Sequence, residues 1–398
     1  MTDRTLGERI AEARRDKGLS QKELAALLNR SESWVSQVER DVLPVERLAL
    51  LQRLAEVLEV GFLDLRPEIE PTYPTPVDQD LERLRHTLVG HPALSRLFVD
   101  STTPANLDEL TNEAQTAWAA AMNTNFGPLA DVLPKLEDAV RVAGARERRK
   151  YLAVLARTYQ SASAGFARQQ EGDAALVAAD RAITAAEASG DPLAVAAGHF
   201  RLAHTLIRLR RNDDAKELAE QTIAQLQPLA DGDSSTSELL SLYGAMHLIR
   251  AVLAGYDGDR TTAQRHLDDA EAIADRLEPD RNDYDTEFNA INVQLHRIAL
   301  AIELGDAGHA LEVADRVDPS PLSPERRMRY HIDRARAFSQ RRQADEAVAE
   351  LEQAETVAPE NFRSHQTAIQ TLEQLTSLAT GQAKHRLTAL SKRTVSRA

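Results

Sequence analysis

The sequence predicts an all-α protein in which a small N-terminal domain is followed by an array of helical hairpins. Ala and Leu dominate, and aromatic residues make up only 4% of the chain, a composition that suits close-packed helix pairs better than a β-sandwich. Apolar residues recur at helical spacing, and turn-forming clusters interrupt them at irregular intervals of about forty residues. At 398 residues the chain is too long for one ordinary core, which predicts two or three domains.

The first predicted unit ends near residue 66 and contains short helices separated by turns. We expect helices at about 5–17, 21–28, 32–40 and 45–58, and a turn at 61–65. Gly18 stands where the first helix would stop in the left-handed conformation, and Ser20 forms a capping box with Glu23. Ser31 caps the third helix, and Pro44 opens the fourth, where a missing N–H costs nothing.

A proline-rich segment gives the clearest boundary in the chain. The stretch RPEIEPTYPTPVDQD carries four prolines in fifteen residues, a density that no helix can continue through. The sequence therefore predicts a domain at 1–66, a linker at 67–80, a helical repeat domain at 81–380 and a basic C-terminal tail at 381–398. The tail has no acidic residue. We expect a frayed last helix with a solvated end, and an arm that contacts DNA is the alternative.

Beyond the linker, six short turns separate long helices from Ala-rich helices. The turns are NFGP at 125–128, EGD at 171–173, RND at 211–213, DGD at 257–259, LGDAG at 304–308 and RRQAD at 341–345. A proline follows several of the second helices, at Pro228, Pro279, Pro319 and Pro359. The pattern resembles tetratricopeptide repeats, with a degenerate repeat length. That resemblance implies a solenoid with a concave inner surface.

The first unit carries a DNA-binding signature. The run LSQKELA at 19–25 is followed by Ser31, Val35, Val38 and Glu39 and by a late Leu-Ala repeat. This pattern resembles the Cro/C1-type (XRE) helix-turn-helix regulators over about fifty residues, with a lambda-repressor-like five-helix fold. The resemblance implies that the third helix lies in the major groove of DNA and reads bases with residues near its N-terminus.

The outer face of the third helix offers the side chains expected to read DNA. Positions 32, 33, 36 and 37 match base-contacting positions of the family; glutamine can pair with adenine, glutamate with a cytosine amino group, and serine is permissive. Gln21 matches a phosphate contact at a helix N-terminus. The complete predicted set is Gln21, Lys22, Arg30, Ser31, Glu32, Ser33, Ser36, Gln37 and Arg40. The resemblance also pairs Arg14 with Glu39 structurally. We expect Trp34 to be a packing or backbone-contact residue rather than a base reader. The alternative is that the charged face is only solvated.

Charge predicts weak DNA binding by a single copy. The net charge is −14, which argues against non-specific nucleic-acid binding by the whole chain. Residues 4–40 carry eight Lys or Arg against six acids, whereas residues 41–70 carry seven acids against three arginines. Because phosphate contacts supply much of the affinity for DNA, we expect a homodimer on paired half-sites.

The combination of a helix-turn-helix and helical repeats resembles the RRNPP group of peptide-sensing, quorum-sensing regulators, whose repeats bind a signalling peptide and dimerise. Four predicted first helices carry polar stripes at one-face spacing. The stripes are Arg201, His204, Arg208; Tyr243, His247, Arg250; Asn289, Asn292, His296; and Arg327, His331, Arg334. Arg and His in an acidic protein suggest a peptide or a small carboxylate-bearing ligand. Ordinary solvated helix faces would look the same. A rival function is a scaffold whose array docks a partner protein while the first domain addresses it to DNA.

Other classes of function lack a signature. The chain has no cysteine, which fits a reducing cytoplasm and leaves no thiolate metal site or cysteine nucleophile. Phosphate-loop, dinucleotide-binding, nucleophile-elbow and HExxH motifs are missing from the sequence. We therefore expect no enzyme activity, no cofactor and no metal. The charged N-terminus and the lack of an 18-residue apolar run predict neither secretion nor membrane insertion.

Overall fold

The computed structural model describes residues 5–43, 45, 48–58, 60, 79–90, 104–122, 124–232, 235–278 and 281–395. Over these residues the chain is all-α, as predicted, and contains no strand. Contacts divide the chain into two compact units. The first unit comprises Met1–Tyr73, Ala251–Glu271 and Asn289–Ala398, and the second comprises Pro74–Arg250 and Ala272–Phe288.

The helices follow one another with short connections. They are α1 Leu6–Asp16, α2 Gln21–Leu27, α3 Glu32–Glu39, α4 Leu48–Leu58, α5 Gln79–Val89, α6 Leu107–Met122, α7 Gly127–Val142, α8 Ala145–Arg168, α9 Gly172–Ser189, α10 Pro192–Arg208, α11 Asn212–Ala230, α12 Ser237–Asp257, α13 Arg260–Ala274, α14 Ala290–Glu303, α15 Ala307–Ala314, α16 Pro324–Gln340, α17 Ala344–Val357, α18 Pro359–Ser364, α19 Gln366–Leu378 and α20 Gly381–Val395. A 3₁₀ turn lies at Asp283–Asp285.

The predicted caps of the N-terminal helices are confirmed. Ser20 and Glu23 form the capping box of α2, and the Ser31 side chain accepts a hydrogen bond from the backbone N–H of Trp34 at the start of α3. Gly18 has φ +73°, the left-handed value expected at a helix stop. The fourth helix is described over Leu48–Leu58, within the predicted 45–58, and residues 46 and 47 lie outside the described residues. Pro44, the predicted turn at 61–65 and residues 67–78 of the predicted linker lie outside the described residues.

An apolar core holds the N-terminal helices together. Ile10, Leu24, Val35 and Leu54 are fully or almost fully buried and pack in one cluster. Trp34 is 2% exposed in the same cluster, so its predicted packing role is confirmed. Burying each such side chain contributes about 1.5–3 kcal/mol. The core therefore fixes the side of α3 that faces inward and, with it, the side that faces outward.

Small side chains build the helix pairs of the second unit. Helix α9 buries seven alanines and packs between α8 and α10. Ala178 and Ala182 have no exposed surface, so the backbones on either side approach closely. The Ala-rich second helices predicted from the sequence therefore form the tight contacts expected of repeat hairpins.

All six predicted repeat turns are confirmed, and they share one geometry. Inside each turn, or one residue before it, a single residue adopts the left-handed conformation, with φ between +60° and +78°. The next residue donates its backbone N–H to the carbonyl five positions earlier, at 2.8–3.0 Å, which is the Schellman ending of a helix. The left-handed residues are Thr124, Gln170, Arg210, Gly258, Gly305 and Arg342.

Two of the four prolines that were expected to follow second helices do so. Pro319 and Pro359 do follow α15 and α17. Pro228 instead lies inside α11, two residues before its end at Ala230. Proline removes one hydrogen-bond donor, and the last turn of α11 continues past it. Pro279 lies outside the described residues.

The last helix predicted for the C-terminal segment is present as α20, but it is packed where the sequence predicted a frayed helix. Ala383, Leu387 and Leu390 of α20 are buried in a core cluster with α17 and α19. Arg386 forms an ion pair with Glu352. Arg393 and Glu355 form another, at 2.7 Å. The buried side chains recur at i, i+4 and i+7, so one face of the helix packs while the basic residues lie elsewhere on it.

One helix of the described residues is long and apolar enough to cross a membrane by length and composition. It is α12, and 89% of its most apolar 18-residue window is buried within the protein.

Candidate DNA-reading helix and ligand cavities

The third helix is anchored by its inner face. Trp34, Val35 and Val38 are buried, whereas Glu32 and Ser33 on the opposite side are exposed. The Ser31 cap satisfies one of the free N–H groups at the helix start. Helix α3 therefore presents its N-terminal outer face to solvent, as a base-reading helix must.

A polar network around Glu39 fixes the three helices relative to one another. Arg14 Nε lies 2.5 Å from Glu39 Oε1, and Arg14 Nη2 lies 3.0 Å from Glu39 Oε2. Gln21 Nε2 also donates to Glu39 Oε2, at 2.8 Å, and Arg14 Nη1 donates to the Leu19 carbonyl at 2.6 Å. The hydrogen bond to Glu39 raises the pKa of Arg14 above its usual value. The pairing of Arg14 with Glu39 predicted from the family resemblance is present.

The nine predicted DNA-contacting residues differ in exposure. Five are exposed: Lys22, Ser31, Glu32, Ser33 and Arg40. Four are half-buried: Gln21, Arg30, Ser36 and Gln37. Arg40 Nε donates to the Ser36 carbonyl at 3.0 Å, which draws this side chain back along its own helix. All nine lie on or beside α2 and α3.

Two of the half-buried residues contact other parts of the first unit. Arg30 Nη1 and Nη2 donate to the carbonyls of Gly255 and Tyr256, at 3.3 and 3.0 Å. Gln37 Nε2 donates to the Gly305 carbonyl at 3.3 Å and to Ser33 Oγ at 3.2 Å. The sequence carries no signal for these contacts, because they join residues more than two hundred positions apart.

A cavity of about 400 Å³ lies beside these contacts in the first unit. Its wall includes Arg30 and Trp34 from the N-terminal domain and His296, Asp333 and Arg336 from α14 and α16. Burial, with positive charge nearby, lowers the pKa of His296 to about 3. Burial also raises the pKa of Asp333, although Arg336 Nη1 is 3.2 Å away. His296 is the one predicted ligand residue among those lining this cavity.

The other predicted ligand residues of the first unit make internal contacts. The Asn289 side chain caps α14 by accepting from the backbone N–H of Asn292, at 2.9 Å. His331 Nδ1 and Arg334 Nε each lie 2.7 Å from Glu350. Burial acts to raise the pKa of Glu350, but the hydrogen bonds from His331 and Arg334 outweigh it and lower the pKa. Arg327 lies in the first turn of α16.

The second unit contains a cavity that holds one predicted ligand residue. Its volume is about 400 Å³, and Trp118, Arg157, Arg201, Tyr284 and Asp285 are among its lining residues. Arg201 Nη2 donates to the carbonyls of Tyr284 and Asp285, at 3.1 and 2.9 Å, and its guanidinium lies 5.3 Å from the Trp118 ring centre. Arg157 lies 3.9 Å from the Asp285 carboxylate. Burial nevertheless dominates and raises the pKa of Asp285.

The chain segment beside this cavity has a strained backbone. Tyr284, Asp285 and Glu287 all have φ between +51° and +53°, a region that side chains other than glycine enter at a cost of about 1–3 kcal/mol each. Burial raises the pKa of Tyr284 to about 12. Strain of this kind concentrates at ligand clamps and switch regions. No residue pattern in the sequence predicts it.

The remaining predicted ligand residues of the second unit lie on α10 and α12. His204 and Arg208 are exposed, and the His204 ring packs edge-on against Phe200 at 4.6 Å. Tyr243 packs edge-on against His247 at 4.7 Å, and Arg250 pairs with Glu220 at 2.9 Å. The twelve predicted residues are thus divided six and six between the two units.

The comparisons with known proteins identify the first domain. Residues 5–69 match the family described as "Helix-turn-helix domain", so the chain carries a helix-turn-helix domain at its N-terminus, as predicted. No curated protein sequence matches the chain. Two solved structures match the chain along most of its length. A Rap protein complexed with Competence and Sporulation Factor has 14% identity and a TM-score of 0.40, covering 96% of this chain and 99% of that chain. Bacillus thuringiensis PlcR, in complex with the peptide PapR7 and DNA, has 12% identity and a TM-score of 0.28, covering 95% and 100%.

Proposed function

We propose that the protein is a sequence-specific DNA-binding transcriptional regulator. The observation that carries the proposal is the anchoring of α3: Trp34 and Val38 are buried in the domain core, while Glu32 and Ser33 lie on an exposed face. A helix held on one side and free at its N-terminal outer side has the form that enters the major groove. The family match over residues 5–69 supports the same reading.

The side chains assign different tasks to the two helices of the motif. Gln37 offers an amide that can pair with adenine, and Glu32 and Ser33 can accept or share hydrogen bonds with base edges. Lys22 is exposed at the start of α2, where the positive end of the helix dipole also attracts phosphate. Phosphate contacts fix the position of the domain, and the base contacts supply specificity.

Replacing Ser33 and Gln37 together by alanine tests this assignment. We expect the Ser33→Ala/Gln37→Ala variant to bind its operator at least about tenfold more weakly at moderate salt, because a good base contact contributes about 1–3 kcal/mol. Binding to unrelated DNA should change little. A matched control, Gln221→Ala/Ser377→Ala, removes the same chemical groups from exposed positions elsewhere. Unchanged operator binding by the double variant in α3 would rule out base reading by this face.

We also propose that the repeat region senses a ligand with a carboxylate group. The cavity of the second unit supports this, since Arg157 and Arg201 line it beside the Trp118 ring. Thermal unfolding with short acidic peptides and small carboxylates tests it, because a ligand stabilises by about RT ln(1+[L]/Kd). We expect Arg201→Gln to abolish the shift and Arg281→Gln, which removes an equal charge beside the same loop, to preserve it. Equal shifts in both variants would exclude Arg201 as a ligand contact.

Two copies are proposed to act together. Residues 41–70 add acids to the DNA-binding domain, and repulsion from phosphates lowers the affinity of one copy. A homodimer would place two α3 helices on half-sites about one helical turn of DNA apart. Light scattering after size-exclusion chromatography measures the stoichiometry. A strictly monomeric protein that binds a single half-site would exclude the dimer.

A further inference from the structure

Two repeat turns of the first unit contact the helix-turn-helix domain. The turn after α12 receives Arg30, which donates to the last carbonyls of that helix at Gly255 and Tyr256. The turn after α14 receives Gln37, which donates to the carbonyl of Gly305. The carbonyls at a helix C-terminus lack partners within the helix and carry partial negative charge. A guanidinium and an amide N–H are therefore well suited to cap them.

The residue types at the left-handed position of the six repeat turns indicate a specific contact with the helix-turn-helix domain. All six turns have a left-handed residue at the same place, yet four carry Thr124, Gln170, Arg210 and Arg342. Turn geometry alone therefore does not require glycine in this protein. At the left-handed position, glycine stands only in the two turns that contact the helix-turn-helix domain, at Gly258 and Gly305.

Close approach explains the glycine at position 258. A Cβ atom built on Gly258 would lie 2.5 Å from the backbone carbonyl oxygen of Asn29 and 3.3 Å from Cδ of Arg30. The first distance is well inside van der Waals contact, and backbone cannot move aside as a flexible side chain can. At Gly305 a Cβ would meet nothing nearer than 3.7 Å. The methyl group of an alanine at position 258 would therefore collide with the backbone of the helix-turn-helix domain in its docked position.

From these contacts we infer that the helix-turn-helix domain docks onto its own repeat turns and that this docking competes with DNA. Arg30 and Gln37, both assigned to DNA, donate to protein carbonyls instead. The Arg30 guanidinium also lies 5.3 Å from the centre of the Trp34 ring. DNA binding then requires release from both turns. This inference rests on the proposed function, and it names the two repeat turns as the surface that keeps α3 from DNA.

Cross-linking measures docking without DNA binding. The chain has no cysteine, so introduced cysteines are the only thiols that a maleimide can modify. Ser33 Oγ and the Gly305 carbonyl both contact Gln37 Nε2, and Ser33→Cys with Gly305→Cys should therefore join through a short bismaleimide. Ser33→Cys with Gly381→Cys is the control, because a Cβ at Gly381 has no neighbour within 4 Å. We expect a high yield for the first pair and a low yield for the control.

A glycine variant tests the competition. Gly258→Ala should raise the affinity for operator DNA about fivefold or more, since apparent affinity scales with the fraction of undocked domain, and should lower the cross-link yield. Gly190→Ala is the matched control: its φ of +79° imposes the same backbone cost, and a Cβ there meets nothing within 4 Å. That control should leave both readouts unchanged.

The outcomes separate the two proposals. Equal cross-linking of the test and control pairs would overturn the docking, whatever the DNA data show. Loss of cross-linking in Gly258→Ala with unchanged operator affinity would overturn the competition alone. A high cross-link yield in a protein that binds no DNA in any variant would overturn the proposed function and, with it, the competition.

Discussion

The carboxylate of Glu39 links three helices of the helix-turn-helix domain. Glu39 accepts hydrogen bonds from Arg14 and Gln21, so one carboxylate joins α1, α2 and α3. Because Gln21 Nε2 is held by Glu39, its orientation is set before any phosphate approaches. Preorganisation of this kind lowers the entropy lost on binding.

Removing the Glu39 carboxylate should destabilise the domain. We expect Glu39→Ala to lower the free energy of unfolding by about 2–4 kcal/mol, because it leaves the largely buried Arg14 guanidinium without its partner. Urea denaturation measured by circular dichroism gives the change. Glu109→Ala, at an exposed position of α6, should stay within about 0.5 kcal/mol of the parent. A similarly small effect of Glu39→Ala would contradict a structural role for the network.

His296 should make the first unit sensitive to acid. Its pKa in the folded protein is lowered to about 3, mainly by burial and further by Arg326 and Arg329, whereas an unfolded histidine titrates near 6.5. Between these values the unfolded state binds more protons, so stability is lost as pH falls from about 6.5 towards 3.

The variant His296→Gln isolates that contribution. It should show a smaller loss of unfolding free energy than the parent when chemical denaturation at pH 7 and pH 5 is compared. His204→Gln, at an exposed position of α10, should lose as much as the parent. Identical pH dependence in His296→Gln and the parent would show that the ring is not buried in its neutral form.

At the scale of helices, small residues set the packing of the second unit. Ala182 of α9 has no exposed surface, so a larger side chain there must push helices apart. We expect Ala182→Leu to lower the unfolding free energy by about 1–3 kcal/mol. Ala188→Leu, on the exposed side of the same helix, should change it by less than about 0.5 kcal/mol. Thermal and urea unfolding of both variants decides the matter, and equal effects would refute close packing through this face.

Local chemistry explains which helical features the sequence could predict. Gly18, Ser20 and Ser31 act on neighbours within five residues, so their caps and stops were visible in the chain. Turns such as EGD and RND were visible for the same reason. The prediction that Pro228 follows the end of its helix was wrong, because α11 continues for two residues beyond it. A last helix was predicted where α20 lies, but its packing could not be predicted because its burial depends on contacts with α17 and α19.

At the scale of the whole molecule, long-range contacts could not be predicted. The hydrogen bonds of Arg30 and Gln37 to repeat turns join distant residues, and neither end has a pattern that names the other. The strained segment at Tyr284 and Asp285 likewise depends on Arg201, more than eighty residues away. The sequence predicted the outward face of α3 but could not show that Gln37, on that helix, contacts the Gly305 carbonyl.

Footprinting shows whether α3 reads a specific DNA sequence. The DNA to test lies upstream of the protein's own gene, with and without culture extract. We expect protection of two half-sites about one helical turn apart at moderate salt, with occupancy altered by extract. Protection no stronger than on random-sequence DNA, with and without extract, would show that α3 does not read a specific sequence.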